Sequence, residues 1–287
     1  MRGNAECIWP LAMTLGEGPA WDARSRCLWF VDIKQGMLHR YDPHRDDRTS
    51  FDIGGSPGFV LPALPDGLVI GNGGTLLHWL EGQTHVLARL SIDANSRCND
   101  ATVDPSGRVW FGTMDDRALG SSGRVHVYDQ GEVTIAGGAS IVPNGPAITA
   151  DGRWLYHVDS LDRTIWRFDI AGRKRLEDGA PVIRIVEDDG VPDGVILDAE
   201  DHLWVGMWGG WCARRYAPDG RLVDEVEFPC ANVTKIALGG PDMQTAFATT
   251  ARFGESAEAL AEQPLAGGLF QFRVDVPGRS LPLARTR

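Results

Sequence analysis

One pattern recurs six times along this 287-residue chain: an apolar step, a turn built on Asp or Gly, then a short β-branched or aromatic run. The runs centre on Trp29, Val69, Trp110, Leu155, Trp204 and Phe247, at steps of 40, 41, 45, 49 and 43 residues. A period in the forties, each copy a hairpin with more strand around it, describes a β-propeller of four-stranded antiparallel blades. Six such blades use about 260 residues. The sequence therefore predicts one all-β, six-bladed domain spanning 1–287. Two sandwiches would require a break in composition near the middle, and none is present. The signature dipeptides of WD repeats do not recur, which disfavours a pure interaction scaffold. The one helical stretch is 255–263 (ESAEALAEQ), an excursion between strands. Trp29, Trp110 and Trp204 are expected to pack the wedge-shaped core between blades.

Composition narrows the function. Apolar residues make up 43% of the chain, enough for a sizeable core, and the net charge of −11 argues against a nucleic-acid partner. The five cysteines are scattered and form no C-x-x-C pair, so neither a disulfide framework nor a thiolate zinc site is indicated. The N-terminal segment lacks a basic region followed by an apolar run, and no stretch has the length of a membrane span. Free thiols and a cytoplasmic location are expected.

Counting back from the run centres exposes a second register. Eleven positions before Trp110 is Asn99, before Leu155 is Asn144, and before Trp204 is Asp193; twelve before Trp29 is Glu17. Equivalent positions in successive blades lie at similar depth around the axis, so these four side chains should share one ring at one mouth of the channel. Glu17, Asn144 and Asp193 are each followed by glycine, which lets a strand run close to the axis. Pro-Asp-Gly is also an ordinary turn tripeptide, and the chain has three, at Asp66, Asp193 and Asp219. Only Asp193 falls in the register of the other three.

Converging carboxylates repel one another unless protons or a cation intervene. Glu17, Asn144 and Asp193 offer hard oxygen donors, which suit one divalent metal ion: Ca2+, Zn2+, Fe2+, Mn2+ or Mg2+. The seven histidines show no zinc-ligand spacing, no G-x-S-x-G is present, and 71–74 (GNGG) lacks the Lys-Ser/Thr of a phosphate loop.

At these residues the chain resembles the senescence-marker-protein/regucalcin/gluconolactonase family of six-bladed propellers. The matching stretches are LGEGPAW (15–21), LWFVDI (28–33), RCNDATVDPSGRVWFGTM (97–114), PNGP (143–146), YHVDS (156–160), PDG (192–194) and QPLAGGLF (263–270). Within the family, WGGW (208–211) and NVTK (232–235) resemble bacterial sugar lactonases such as xylonolactonase. The resemblance implies that Glu17, Asn144 and Asp193 ligate one divalent metal, with Asp193 also the general base. It implies that Asn99 and Arg97 contact substrate, and that the substrate is a small sugar lactone handled by a monomer or weak homo-oligomer. Where many members carry Cys-Phe-Gly-Gly, this chain has 237–240 (ALGG), read as a packing position. Asp159 and Ser160 are expected at the far end of their strand from the ring, and Trp208 and Trp211 are left without a role.

The expected reaction is hydrolysis of an aldonolactone to its aldonic acid, with Asp193 activating water. The alternatives are a divalent-cation-binding regulatory protein without turnover, an interaction scaffold, and an esterase for a different ester. The polar Arg97 and Asn99 favour sugars over apolar esters.

Overall fold

The computed structural model describes residues 5–286. Each run centre found in the sequence lies on the second strand of a blade, and each blade is a four-stranded antiparallel sheet. Blade 1 is Gly16–Asp22, Cys27–Asp32, Met37–Asp42 and Asp47–Asp52; blade 2 is Pro57–Leu64, Leu68–Asn72, Thr75–Leu80 and Gln83–Arg89. Blade 3 runs from Ser96–Val103 to Glu132–Ser140, blade 4 from Pro143–Ile148 to Ala180–Arg184, and blade 5 from Val191–Leu197 to Leu222–Glu227. Blade 6 has the inner strand Asn232–Gly239, then Thr245–Ala251 and Leu269–Arg273. Its outer strand comes from the other end of the chain, Glu6–Trp9. This N-terminal strand clasps the ring shut. The short helix is Ala257–Glu262, capped by Ser256, whose hydroxyl accepts from the Ala259 amide at 3.2 Å.

Burial follows position in the blade. The inner strands are buried almost throughout, whereas the outer strand Asp47–Asp52 alternates half-buried and exposed residues, as a one-sided sheet should. The apolar core divides into six clusters, one in each seam between neighbouring blades. Trp110, Val125 and Val127 meet Leu155 and Ile170 between blades 3 and 4, and Trp204 meets Ile236 and Phe270 between blades 5 and 6. Trp29 fills the seam between blades 1 and 2 against Trp79, with ring centroids 5.5 Å apart. The turn aspartates of the repeat have a job of their own. Asp104 Oδ1 accepts from the Ser106 and Arg108 amides, and Asp198 Oδ1 from those of Glu200 and His202, so the carboxylate closes each tight turn. All five cysteines are free.

Two structural devices were not visible in the repeat. Every inner strand breaks register at the same height, with bulges between Glu17 and Ala20, Pro57 and Phe59, Cys98 and Ala101, Asn144 and Ala147, Pro192 and Val195, and Val233 and Lys235. The C-terminal segment crosses the opposite face of the disc. The Ala199 amide donates to Pro277 O and the Gly278 amide to Met243 O, and Ala284–Arg285 pairs in parallel with Ala63 and Leu64 of blade 2. Above it lies a cavity of about 320 Å³, walled largely by apolar residues such as Phe59, Val195 and Leu281. No helix among the described residues is long and apolar enough to cross a membrane.

Candidate active site at the channel mouth

A bulge turns side chains that would otherwise alternate across the sheet, and here six of them act together. Glu17, Asn99, Asn144 and Asp193 all sit at or directly beside the break in their inner strand, and all four are buried. Gly18 shows why a glycine follows Glu17. Its φ is +55°, and a Cβ there would lie 2.9 Å from the Phe59 Cα of the next blade.

Three of the expected residues form one hydrogen-bonded chain. Arg97 Nη1 donates to Asn99 Oδ1 at 2.6 Å, and Asn99 Nδ2 donates to Asn144 Oδ1 at 2.8 Å and to Pro143 O at 3.0 Å. Asn144 Nδ2 then donates to Ser160 Oγ at 2.9 Å. That last bond corrects an expectation. Asp159 and Ser160 lie at the ring's end of their strand, because Pro143 pairs with Asp159 and Asn144 with Val158 in an antiparallel hairpin. Strand direction alternates within the blade, so the last residues of the second strand meet the first residues of the inner one.

Arg97 is not a solvated loop residue. It lies in an inner strand, 5% exposed, with Nε donating to Asp116 Oδ1 at 2.6 Å. Asp116 takes a second cation, Lys34 from blade 1, at 2.7 Å. Arg97 Nη1 also donates to Cys98 O at 3.0 Å, and Nη2 makes no hydrogen bond among the described residues.

The two carboxylates of the ring lack such partners. Glu17 Oε2 accepts from the Gly18 amide at 3.0 Å, and Asp193 makes no side-chain hydrogen bond among the described residues. Burial, then the charge of nearby Asp100, pushes the Glu17 carboxyl up to about 8. Asp193 is held well above the usual carboxylate range, by burial first and then by the charges of Glu17 and Asp100. The cations in the neighbourhood are already committed, Lys235 to Asp100 and Arg97 to Asp116. Two buried carboxylates with no ion pair of their own, felt only at a distance by Lys235 and Arg97, and the Asn144 amide oxygen with its spare lone pair fit a doubly charged ion with hard-oxygen preference. Among the described residues no group of three or more His, Cys, Asp or Glu side chains is disposed to hold a metal, so any such site depends on the Asn144 amide.

Among the described residues no histidine hydrogen-bonds to Glu17, Asn99, Asn144 or Asp193. His39, His126 and His157 are pushed down to about 4 by burial and stay neutral near pH 7. The packing reading of 237–240 holds, with all four residues buried and Ala237 and Leu238 in the seams. Trp211 is exposed, whereas Trp208 is half-buried against the seam of blades 1 and 2. Asp100, Asp116, Ser160 and Lys235 were missed as neighbours of the site. Asp100 and Lys235 stand inside the quoted motifs, but only ring closure places them together.

Residues 15–252 match the SMP-30/Gluconolactonase/LRE-like region family. The chain is 33% identical to a 6-deoxy-6-sulfogluconolactonase of Pseudomonas putida, with 99% of each chain covered. It is 32% identical to a pentonolactonase of Haloferax volcanii over 92% of each. Among solved structures it superposes with a TM-score of 0.93 on a calcium-binding protein, regucalcin, from Agrobacterium tumefaciens, at 27% identity and covering 99% and 97% of the two chains. The sequence match and the six-bladed ring agree: the chain belongs to the SMP-30/gluconolactonase family.

Proposed function

We propose that this chain hydrolyses a sugar lactone to its open aldonic acid. The observation that carries the reading is the pair of buried carboxylates without an ion pair of their own, Glu17 and Asp193, in the field of Arg97, which opens the polar chain Arg97–Asn99–Asn144. The sugar-lactonase names of relatives matching over nearly the full chain support the substrate class.

Glu17, Asn144 and Asp193 would hold one divalent cation. When bound, that ion supplies Lewis-acid polarisation of the lactone carbonyl and removes the repulsion between the carboxylates. Asp193 accepts a proton from the attacking water as its oxygen bonds to the carbonyl carbon. The same carboxyl then returns the proton to the ring oxygen as the carbon–oxygen bond of the lactone breaks. Arg97 directs its unpaired Nη2 donors at a substrate oxygen. Asn99 has both amide hydrogens committed to Pro143 and Asn144, so its main part is to hold Arg97 and Asn144 in place.

The second reading is a cation-binding regulatory protein without turnover, favoured by the likeness to a calcium-binding protein. A pH-indicator assay with xylono-, arabino- and gluconolactone, with and without chelator, separates the two. Acid release that chelator abolishes supports the lactonase. Cation binding with no acid release on any lactone overturns it.

A further inference from the structure

Beneath the ring of Glu17, Asn99, Asn144 and Asp193, one ion pair crosses the channel. Lys235 comes from the inner strand of blade 6 and Asp100 from that of blade 3, which face each other across a six-bladed ring. They are 4% and 1% exposed, and Lys235 Nζ donates to Asp100 Oδ1 and, at 3.3 Å, to Ala101 O. Both residues line the 320 Å³ cavity, whereas none of the four ring residues does. The pair is thus the floor of the site and the roof of the cavity.

Asp100 Oδ1 also accepts from the Ala101 amide at 2.7 Å, and two further contacts fall on the residues that follow two of the ring positions. Asp100 Oδ2 accepts from the Gly145 amide at 3.0 Å, directly after Asn144. The Lys235 stem lies over Gly194, directly after Asp193, where a Cβ would stand 2.5 Å from Lys235 Cγ and 2.6 Å from its Cβ. Four of the six inner strands therefore meet at this pair. A channel that needed only a plug would be closed as well or better by apolar side chains, because burying two charges is expensive even when they are paired.

We propose that Lys235 and Asp100 are positioning residues, a diametric tie that sets where Asn144 and Asp193 stand. The inference rests on the lactonase reading for its kinetic arm and on cation binding for the other. Lys235→Met alone strands a buried carboxylate, so the decisive variant is the double Lys235→Met/Asp100→Asn, which removes both charges at nearly constant volume. The three proteins are compared by thermal melting, by lactone kinetics, and by calorimetric titration with Ca2+ alone.

The double variant is expected to melt cooperatively and at least as high as Lys235→Met. Its kcat falls about 100-fold, the effect of a misplacement of about 1 Å, while KM stays within about threefold. Its Ca2+ affinity falls about tenfold or more. A double variant with wild-type kcat and Ca2+ affinity overturns the proposal, and so does one that fails to fold, since the pair would then serve the fold alone. Wild-type protein that binds Ca2+ but opens no lactone removes the lactonase reading and leaves the Ca2+ comparison to decide this one. Wild-type protein that does neither overturns both.

Discussion

The Glu17 carboxyl makes the cation-free protein lose stability as pH rises through neutrality. Folded, Glu17 holds its proton up to about 8; unfolded, it releases it near 4.5. Its contribution is therefore fully present below pH 4.5 and is lost progressively as pH climbs to 8. The buried histidines act in the opposite direction: His39, His126 and His157 titrate near 4 folded against 6.5 unfolded, so their contribution grows from pH 4 to 6.5 and is flat above. The window from pH 6.5 to 8 removes the histidines and leaves the raised carboxyls of the mouth, and comparison with Glu17→Gln separates Glu17 from Asp193. Each pH unit there is worth about 1.36 kcal/mol, giving a loss of about 2 kcal/mol, or roughly 3 °C of melting temperature for a chain of this size. Melts in chelator at half-unit steps for wild type and Glu17→Gln measure it. Wild type should fall across the window more steeply than the variant, and excess divalent cation should flatten the wild-type curve. Parallel curves for the two proteins would refute the argument that burial without an ion pair keeps Glu17 protonated into neutrality.

Asp193→Asn should lower kcat on the best lactone by at least about 1,000-fold and weaken Ca2+ binding in a calorimetric titration, since it removes both the proton acceptor and a ligand charge. Arg97→Ala should raise KM about tenfold and also lower the melting temperature, because Asn99 and Asp116 each lose a charged, buried hydrogen-bond partner; a KM effect with an unchanged melting curve would show that the Arg97 contacts do not hold the mouth together. Deleting residues 1–9 should destabilise the ring by several kcal/mol, seen as a lower and broader calorimetric transition. The deletion strips the outer strand of blade 6 and the edge contact of Trp9 on Phe30, 5.8 Å between centroids.

How much of this was legible in the residues depends on the range of the interaction. The run centres at Trp29 and Trp110 announce themselves because a hairpin is local: its turn carboxylate, as at Asp104, satisfies amides two and four residues away. The ring register was legible for the same reason, as a fixed offset within each repeat. Ser160 was misplaced because offset says nothing about strand direction, and the antiparallel return brings it back to Asn144. The closing strand Glu6–Trp9 carries no repeat signal of its own, since its pairing partner lies more than 250 residues away.

Sequence by itself determined the six blades, the all-β architecture and which first-strand residues are polar, because alternation and turn chemistry are written within about forty residues. Tertiary structure alone decided that Lys235 meets Asp100, that Lys34 and Arg97 share Asp116, and that Glu17 and Asp193 are left without an ion pair of their own. Those outcomes depend on which blades face each other across a closed ring and on how much water the closure excludes. No local pattern encodes either quantity.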